Sequence, residues 1–335
     1  MSSSTTTRQA LTMREAILDG MREEMRRDES VLLIGQDLRA FEGPLKSTEG
    51  LWEEFGDARV VETPICESSA TSMGVGAAVV GMRPIVEIMF SDLMPIVATP
   101  VIQLAANLRF MTAGVGRVPM VIRTRGGDGP YRAHPQNYEA LFTHSPGLTV
   151  VVPSNARDAK GLIKSAIRFE DPVLFIENIF LYNAYRMEVG GEDELVPLGR
   201  AAIAREGRDA TVVTYGRSVR TAQTAAQQLA REGIELEVLD LRTVAPLDDE
   251  AILASVARTR RLIVVHEAWA TGGIGAEVIS RVTRSGAALE HPPILLGAPD
   301  VPVPWAEPLR DSLLPTAAGI AAAARQAVGA EAAAP

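Results

Sequence analysis

The chain has 335 residues, 47% of them apolar and 5% aromatic, enough to bury two ordinary cores of roughly 150 residues each. Its 33 basic residues stand against 42 acidic ones, a formal charge of -9, and no basic run exceeds "MRR" or "RTRR", so neither nucleic acid nor an anionic membrane surface has electrostatic support as a partner. One cysteine, Cys66, excludes an intramolecular disulfide framework and a multi-cysteine metal site.

In chain order, "MSSSTTTRQALTM" lacks the basic start and apolar core of a signal peptide, and residues 1–11 read as a disordered N-terminus. Thr12 with Glu15 makes a capping box, and Ile17, Met21 and Met25 recur at helical spacing, which predicts a helix over 12–27. "VLLIG" at 31–35 is a short apolar run suited to a strand buried on both faces. The alternation continues with "ARVVET" as strand, 68–81 as helix, "PIVEIMF" as strand, 94–112 as helix and "VPMVIRT" as strand. After the loop "RGGDGPYRAHPQN" come "LTVVVPS", a helix begun by Ser154 and running to about Phe169, and "PVLFIE" at 172–177. The most apolar long segment, 84–110, is broken by Glu87, Asp92 and Asn107, so no membrane span is expected; the single cysteine fits a reducing compartment, and the expected location is cytoplasmic.

Residues 179–207 lose periodicity and gain charge and glycine, as a linker does. A second series starts at "ATVVTYG" and passes through helix 218–232, "ELEVLDLRT", helix 247–259, "RLIVVHE", helix 273–285 and "PILLGAP". An alanine-rich helix from about 315 closes it, before a tail over 329–335. Strand–helix alternation of this kind predicts an α/β chain of two doubly wound domains, 12–178 and 208–328.

Few motifs carry chemistry by themselves. "GGIGAEV" at 272–278 has Val278 where a dinucleotide fingerprint needs its third glycine, and it reads as a tight strand-to-helix turn. No HExxH, GxSxG or P-loop occurs, and the four histidines are too scattered for a metal cluster, so no metal ligands are predicted in this chain. "GDG" at 127–129 with Asn155 downstream imitates a diphosphate and magnesium motif, but Asn155 follows Ser154 at a helix start and has no second asparagine beside it. We read it as coincidence.

Glu67, in "PICESS", admits two readings. It is a cap or first-turn acid for the helix that follows, where serine and the helix dipole both welcome negative charge. Alternatively it is a carboxyl in an apolar pocket, available for proton exchange with a ligand nitrogen. On residue chemistry alone Ile65, Met89 and Leu93 are core positions at strand ends, and His134 is a histidine on a surface loop.

The stretches "RVVETPICESSATSMGVGAAVVGMRPIVEIMF", "LRFMTAGVGRVPMVIRT", "HSPGLTVVVPSNARDAKGLIKSAIRFEDPVLFIE", "LDLRTVAPLD" and "VHEAWATGGIGAEV" together resemble the beta subunit of the thiamine diphosphate-dependent 2-oxo acid dehydrogenases. The resemblance runs in order from Thr12 to Ala327. It implies a transketolase pyrimidine-binding domain followed by a transketolase C-terminal domain, with thiamine diphosphate as cofactor. The diphosphate and Mg2+ would be held mainly by an alpha subunit, in a complex of two alpha and two beta chains that serves a lipoyl acyltransferase.

By the same resemblance Glu67 is the carboxyl that hydrogen-bonds N1′ of the aminopyrimidine, and His134 is the active-site loop histidine. Ile65, Met89 and Leu93 line the aminopyrimidine pocket. Leu93 stands where relatives usually place an aromatic residue, forfeiting a stacking contribution on the order of 0.5–1.5 kcal/mol. The loop reads "AHPQN" rather than "QHSQ", with Arg125, Asp128 and Arg132 making it unusually charged, and Phe169 replaces an acid near the family's potassium site, so no potassium is predicted. The implied reaction is decarboxylation of a small 2-oxo acid, or cleavage of acetoin, with acyl transfer to a lipoyl group. A self-contained carboligase that forms acyloins and a non-catalytic assembly subunit remain as alternatives.

Overall fold

The computed structural model describes residues 9–127, 134–304 and 306–329. These form two compact units, one from residues 9–126 and 141–198, the other from 127, 134–140 and the described part of 199–335. Asp128 and Arg132 lie outside the described residues.

In the first unit α1 (Met13–Arg27) starts as its sequence dictates: Thr12 Oγ1 accepts from the Glu15 amide, and Glu15 Oε2 accepts from the Thr12 amide at 2.9 Å. Ile17, Met21 and Met25 are buried and α1 packs on α3 (Ala156–Arg168). The helices meet closely at Gly20, where a Cβ would stand 2.8 Å from Ile163 Cγ2. The unit's sheet contains β1 (Val31–Gly35), β2 (Val60–Glu62), β3 (Arg83–Glu87), β4 (Val121–Gly126), β5 (Thr149–Val151) and β6 (Val173–Asn178). These strands bond in the order β2-β1-β3-β4-β6-β5, every pair parallel. The chain steps from β1 to one side and then to the other, so the order reverses between β1 and β3, where such sheets open a crevice beyond their carboxyl ends.

Three local expectations change. Residues 94–112 are not one α-helix but a 3-10 turn, Ser91–Val97, a π-helix, Thr99–Ala106, and a short α-turn, Asn107–Met111. Pro95 and Pro100 explain this, since a proline removes an amide donor and crowds the carbonyl four residues back. The helix after β6's neighbour β5 is capped by Asn155 rather than Ser154: its Oδ1 accepts from the Asp158 amide at 2.9 Å. That bond accounts for Asn155 as a helix cap. Ala10–Leu11 is not irregular but pairs antiparallel with Met187–Glu188.

The second unit contains β7 (Ala202–Arg205), β8 (Ala210–Thr214), α4 (Arg217–Ala230), β9 (Leu236–Asp240), α5 (Asp249–Thr259), β10 (Leu262–Trp269), α6 (Ile274–Arg284), β11 (Ile294–Ala298) and α7 (Ala317–Val328). Its sheet runs β11-β10-β8-β9-β7, parallel except for β7, which pairs antiparallel with β9. β7 falls in the stretch read as linker: its half-buried pattern is that of an edge strand, which carries too weak a period to announce itself. α4 and α7 cover the face bearing Val212, Val238, Ile263 and Val265. Here the order reverses between β8 and β10. The "GGIG" turn is a packing device, since a Cβ on Gly275 would lie 2.8 Å from His266 Nε2 and would also strike Leu295.

His266, on β10, is fully buried; as the neutral tautomer its Nδ1 donates to the Ala268 carbonyl at 3.1 Å, and its ring stacks on Tyr215. Burial pushes its pKa down from 6.5 to about 4. Below pH 6.5 the unfolded chain takes up a proton that the folded chain refuses until about pH 4, so stability present in full above that window falls as pH is lowered through it. The second unit should therefore melt progressively earlier between pH 6.5 and 4, and His266→Gln should flatten that slope in scanning calorimetry. An unchanged slope would show that another group controls it.

Candidate active site

The carboxyl edge of the first sheet gathers most of the predicted site residues. Gln36 follows β1, Ile65 and Glu67 follow β2, and Met89 and Leu93 follow β3. Glu67 is the first residue of α2 (Glu67–Val79) and is half-buried. The N-cap is Cys66, whose side chain makes no cap bond to the helix backbone. Glu67 is thus a first-turn acid and not the cap, and the position that capping chemistry would fill with serine or aspartate holds an exposed thiol, its Sγ 3.1 Å from Ser69 Oγ. Contact with Ser69 lowers the thiol's pKa.

Ile65 is 77% exposed, too much for the core role that its residue type suggested. Met89 and Leu93 are half-buried, and α2 packs on the turn that carries Leu93. Gln36 Nε2 reaches Met89 Sδ at 3.7 Å, a weak contact that ties the ends of β1 and β3 together at the point of strand reversal.

Beneath this edge lies a charge cluster that the sequence reading did not assemble. Glu87, Arg123, Arg125 and Glu177 are all buried on β3, β4 and β6. The register sets Glu87 beside Arg123 and Arg125 beside Glu177. Arg123 grips Glu177 with two nitrogens and Glu87 Oε2 with a third contact at 3.1 Å. Arg125 binds Glu87, donates to Tyr182 Oη at 2.6 Å and to Ser47 Oγ at 2.7 Å, while the Tyr182 hydroxyl donates to Glu177. Burial alone would push the Arg123 pKa down, but Glu177 and Glu87 carry it above the ordinary arginine value. Burial pushes the Tyr182 phenol up, so it stays a donor. Two guanidiniums balance two carboxylates, with every partner within reach, the condition under which buried charge is tolerated. The signal was present: "PIVEIMF", "VPMVIRT" and "PVLFIE" each set one charge inside an apolar strand.

His134 is not brought to this edge by its own unit. It is half-buried and belongs with Gln136, Tyr138 and Glu139 to the second unit. Among the described residues no group of three His, Cys, Asp or Glu side chains is placed to hold a metal ion.

A carboxyl at a helix start, on the same sheet edge as an exposed isoleucine, a leucine and a thioether, suits a flat heteroaromatic ring with one basic nitrogen, since apolar groups can cover the faces of such a ring and a carboxyl can meet its edge. The donor set therefore fits an aminopyrimidine, on this chain's side only, since Ile65 and Cys66 stand open.

Comparison with known proteins shows the chain's family. Residues 9–183 match the transketolase pyrimidine-binding domain and residues 199–320 the transketolase C-terminal domain. The chain is 43% identical over 312 residues to the mitochondrial pyruvate dehydrogenase E1 component subunit beta of Rattus norvegicus, covering 91% of this chain and 87% of that protein. It is 42% identical over 296 residues to the 2-oxoisovalerate dehydrogenase subunit beta of Bacillus subtilis, covering 87% and 90%. A solved structure described as a split gene transketolase, inactive beta4 tetramer, superposes with a TM-score of 0.79 at 22% identity, over 96% of this chain and 99% of that one; the likeness is one of fold.

Proposed function

From a chain that belongs to the transketolase-like beta subunits of the 2-oxo acid dehydrogenases, we propose that it supplies the aminopyrimidine half of a thiamine diphosphate site completed by an alpha subunit, for decarboxylation of a small 2-oxo acid and transfer of the acyl group to a lipoyl acyltransferase. The carrying observation is Glu67 at the start of α2 beside the open Ile65, on the carboxyl edge of the first sheet. Bound thiamine diphosphate supplies the nucleophilic carbon and the electron sink for decarboxylation. Glu67 holds a proton against N1′ of the aminopyrimidine, with Ile65, Met89 and Leu93 lining the ring. His134 positions a proton near the substrate. Magnesium and the diphosphate belong to the alpha chain, in a complex of two alpha and two beta subunits.

The need for a partner has support in the first unit's surface. Met73 and Val79 on α2 and Val80 just after it, with Ile96, Leu104, Phe110 and Val115 on or just after the helical turns that follow β3, are exposed, Phe110 to 91%. Monomers rarely leave so many large apolar side chains in water on neighbouring elements. Pyruvate and 2-oxoisovalerate dehydrogenase relatives stand at nearly equal identity, 43% and 42%, so the choice of acid rests on the assembled pocket.

Titration calorimetry tests the division of labour. The isolated chain should bind thiamine diphosphate with magnesium weakly, at a Kd above about 1 mM, and adding the alpha chain should tighten this at least 100-fold, about 2.7 kcal/mol. Tight magnesium-dependent binding to the pure chain would replace the two-chain site by a self-contained one.

A further inference from the structure

A doubly wound domain takes ligands in the crevice beyond the carboxyl ends of its strands, at the point where strand order reverses. In the second unit that point lies between β8 and β10, and the residues at its rim are Tyr215, directly after β8, and Trp269, which ends β10. Both are engaged by the chain itself. The Tyr215 hydroxyl donates to Glu139 Oε1 at 2.9 Å, with both side chains buried. Tyr138 meets Trp269 edge to face at 5.6 Å and 64°. Trp269 Nε1 in turn donates to the Val301 carbonyl at 2.8 Å.

Two residues further along that loop, the Gln136 side-chain amide pairs with Val303 as a strand would: Nε2 donates to the Val303 carbonyl, and Oε1 accepts from the Val303 amide, each at 3.3 Å. Burial raises the Glu139 carboxyl's pKa and raises the Tyr215 phenol well above its usual value, so the phenol remains a donor. Three anchors within four residues therefore fix the backbone immediately after His134.

We propose that Gln136, Tyr138 and Glu139 are positioning residues: the second unit's ligand crevice holds not a small molecule but the segment that carries His134, and its task in catalysis is to aim that imidazole. The proposal rests on the reading of His134 given above. A misplacement of about 1 Å at a reacting group is worth on the order of 10²-fold in rate, which is the scale on which a loosened anchor should register.

The test uses the assembled alpha–beta complex with thiamine diphosphate and magnesium, turning over whichever of pyruvate and 2-oxoisovalerate it accepts, with ferricyanide as electron acceptor. Gln136→Met keeps the side chain's length and removes both bonds to Val303. Tyr215→Phe keeps the ring and its stack on His266 and removes only the hydroxyl on Glu139. Each should lower kcat, by roughly 10- to 100-fold for the first and about 3- to 10-fold for the second, with KM within about twofold. Calorimetric binding of the cofactor should not change. In a His134→Ala background either change should add less than about twofold, because the group they aim is gone.

Full multiplicative losses in that background would overturn the proposal, as would unchanged kcat in both single variants. Should His134→Ala alone leave turnover unaltered, the reading of His134 fails first and the inference with it. An inactive His134→Ala beside fully active anchor variants would sink the inference alone.

Discussion

Glu67→Gln, assembled with the alpha chain and thiamine diphosphate, should retain cofactor binding within a fewfold while exchange of the cofactor's C2 proton in deuterated water slows by about 10² or more. Glutamine has the size of glutamate and still hydrogen-bonds a ring nitrogen, but it cannot trade a proton with one. The alternative role makes a different forecast. As a first-turn acid, Glu67 faces the positive end of α2, and neutralising it there costs on the order of 0.3–1 kcal/mol of stability with turnover untouched. Because Cys66 occupies the cap position, capping cannot explain a large effect. NMR of the exchanging proton separates the cases: normal exchange in a well-assembled variant would leave Glu67 as a helix acid and nothing more.

Arg123→Met should be the most damaging single change in the first unit. It removes a fully buried guanidinium that contacts both Glu177 and Glu87, leaving two buried carboxylates to share Arg125 and the Tyr182 hydroxyl. Breaking a buried pair from one side costs about 3–5 kcal/mol, a fall of roughly 10 °C in the melting of a unit of this size. Arg117→Ala is the comparison: its bond to Glu170 lies on the surface, where such pairs contribute less than about 1 kcal/mol. The two variants should differ severalfold in circular dichroism melts. Equal effects would mean that the cluster is no more than a neutral replacement for apolar packing.

What could be read in advance divides by the range of the interactions involved. The start of α1 was legible because a capping box is complete within four residues, Thr12 to Glu15. The run of turns over 91–111 was misread as one helix because apolar spacing alone outweighed Pro95 and Pro100. β7 was taken for linker because an edge strand shows only half a pattern. At the site, Glu67 was noticed for its awkward place at a helix start, but that Cys66 is the cap and Glu67 a first-turn acid is visible only in the fold. The partners of Arg123 and Arg125 depend on which strands are neighbours and in what register; each strand displays its own charge but not its counterpart. His134 is the extreme case, since its segment packs with the second unit although the sequence sets it deep inside the first domain.

Gln136 is separated from Val303, the residue it grips, by 167 positions. On a ribosome adding about 5–20 residues per second, that interval lasts roughly ten to thirty seconds, during which β4 has emerged and β6 can join it but Gln136 still lacks its partner. β6 joins β4 early, and the grip on Val303 comes late. A nascent chain, or one stopped short of Val303, thus holds the segment after His134 only through Tyr215 and Trp269. Order of synthesis makes the full set of bonds behind His134 one of the last features to form.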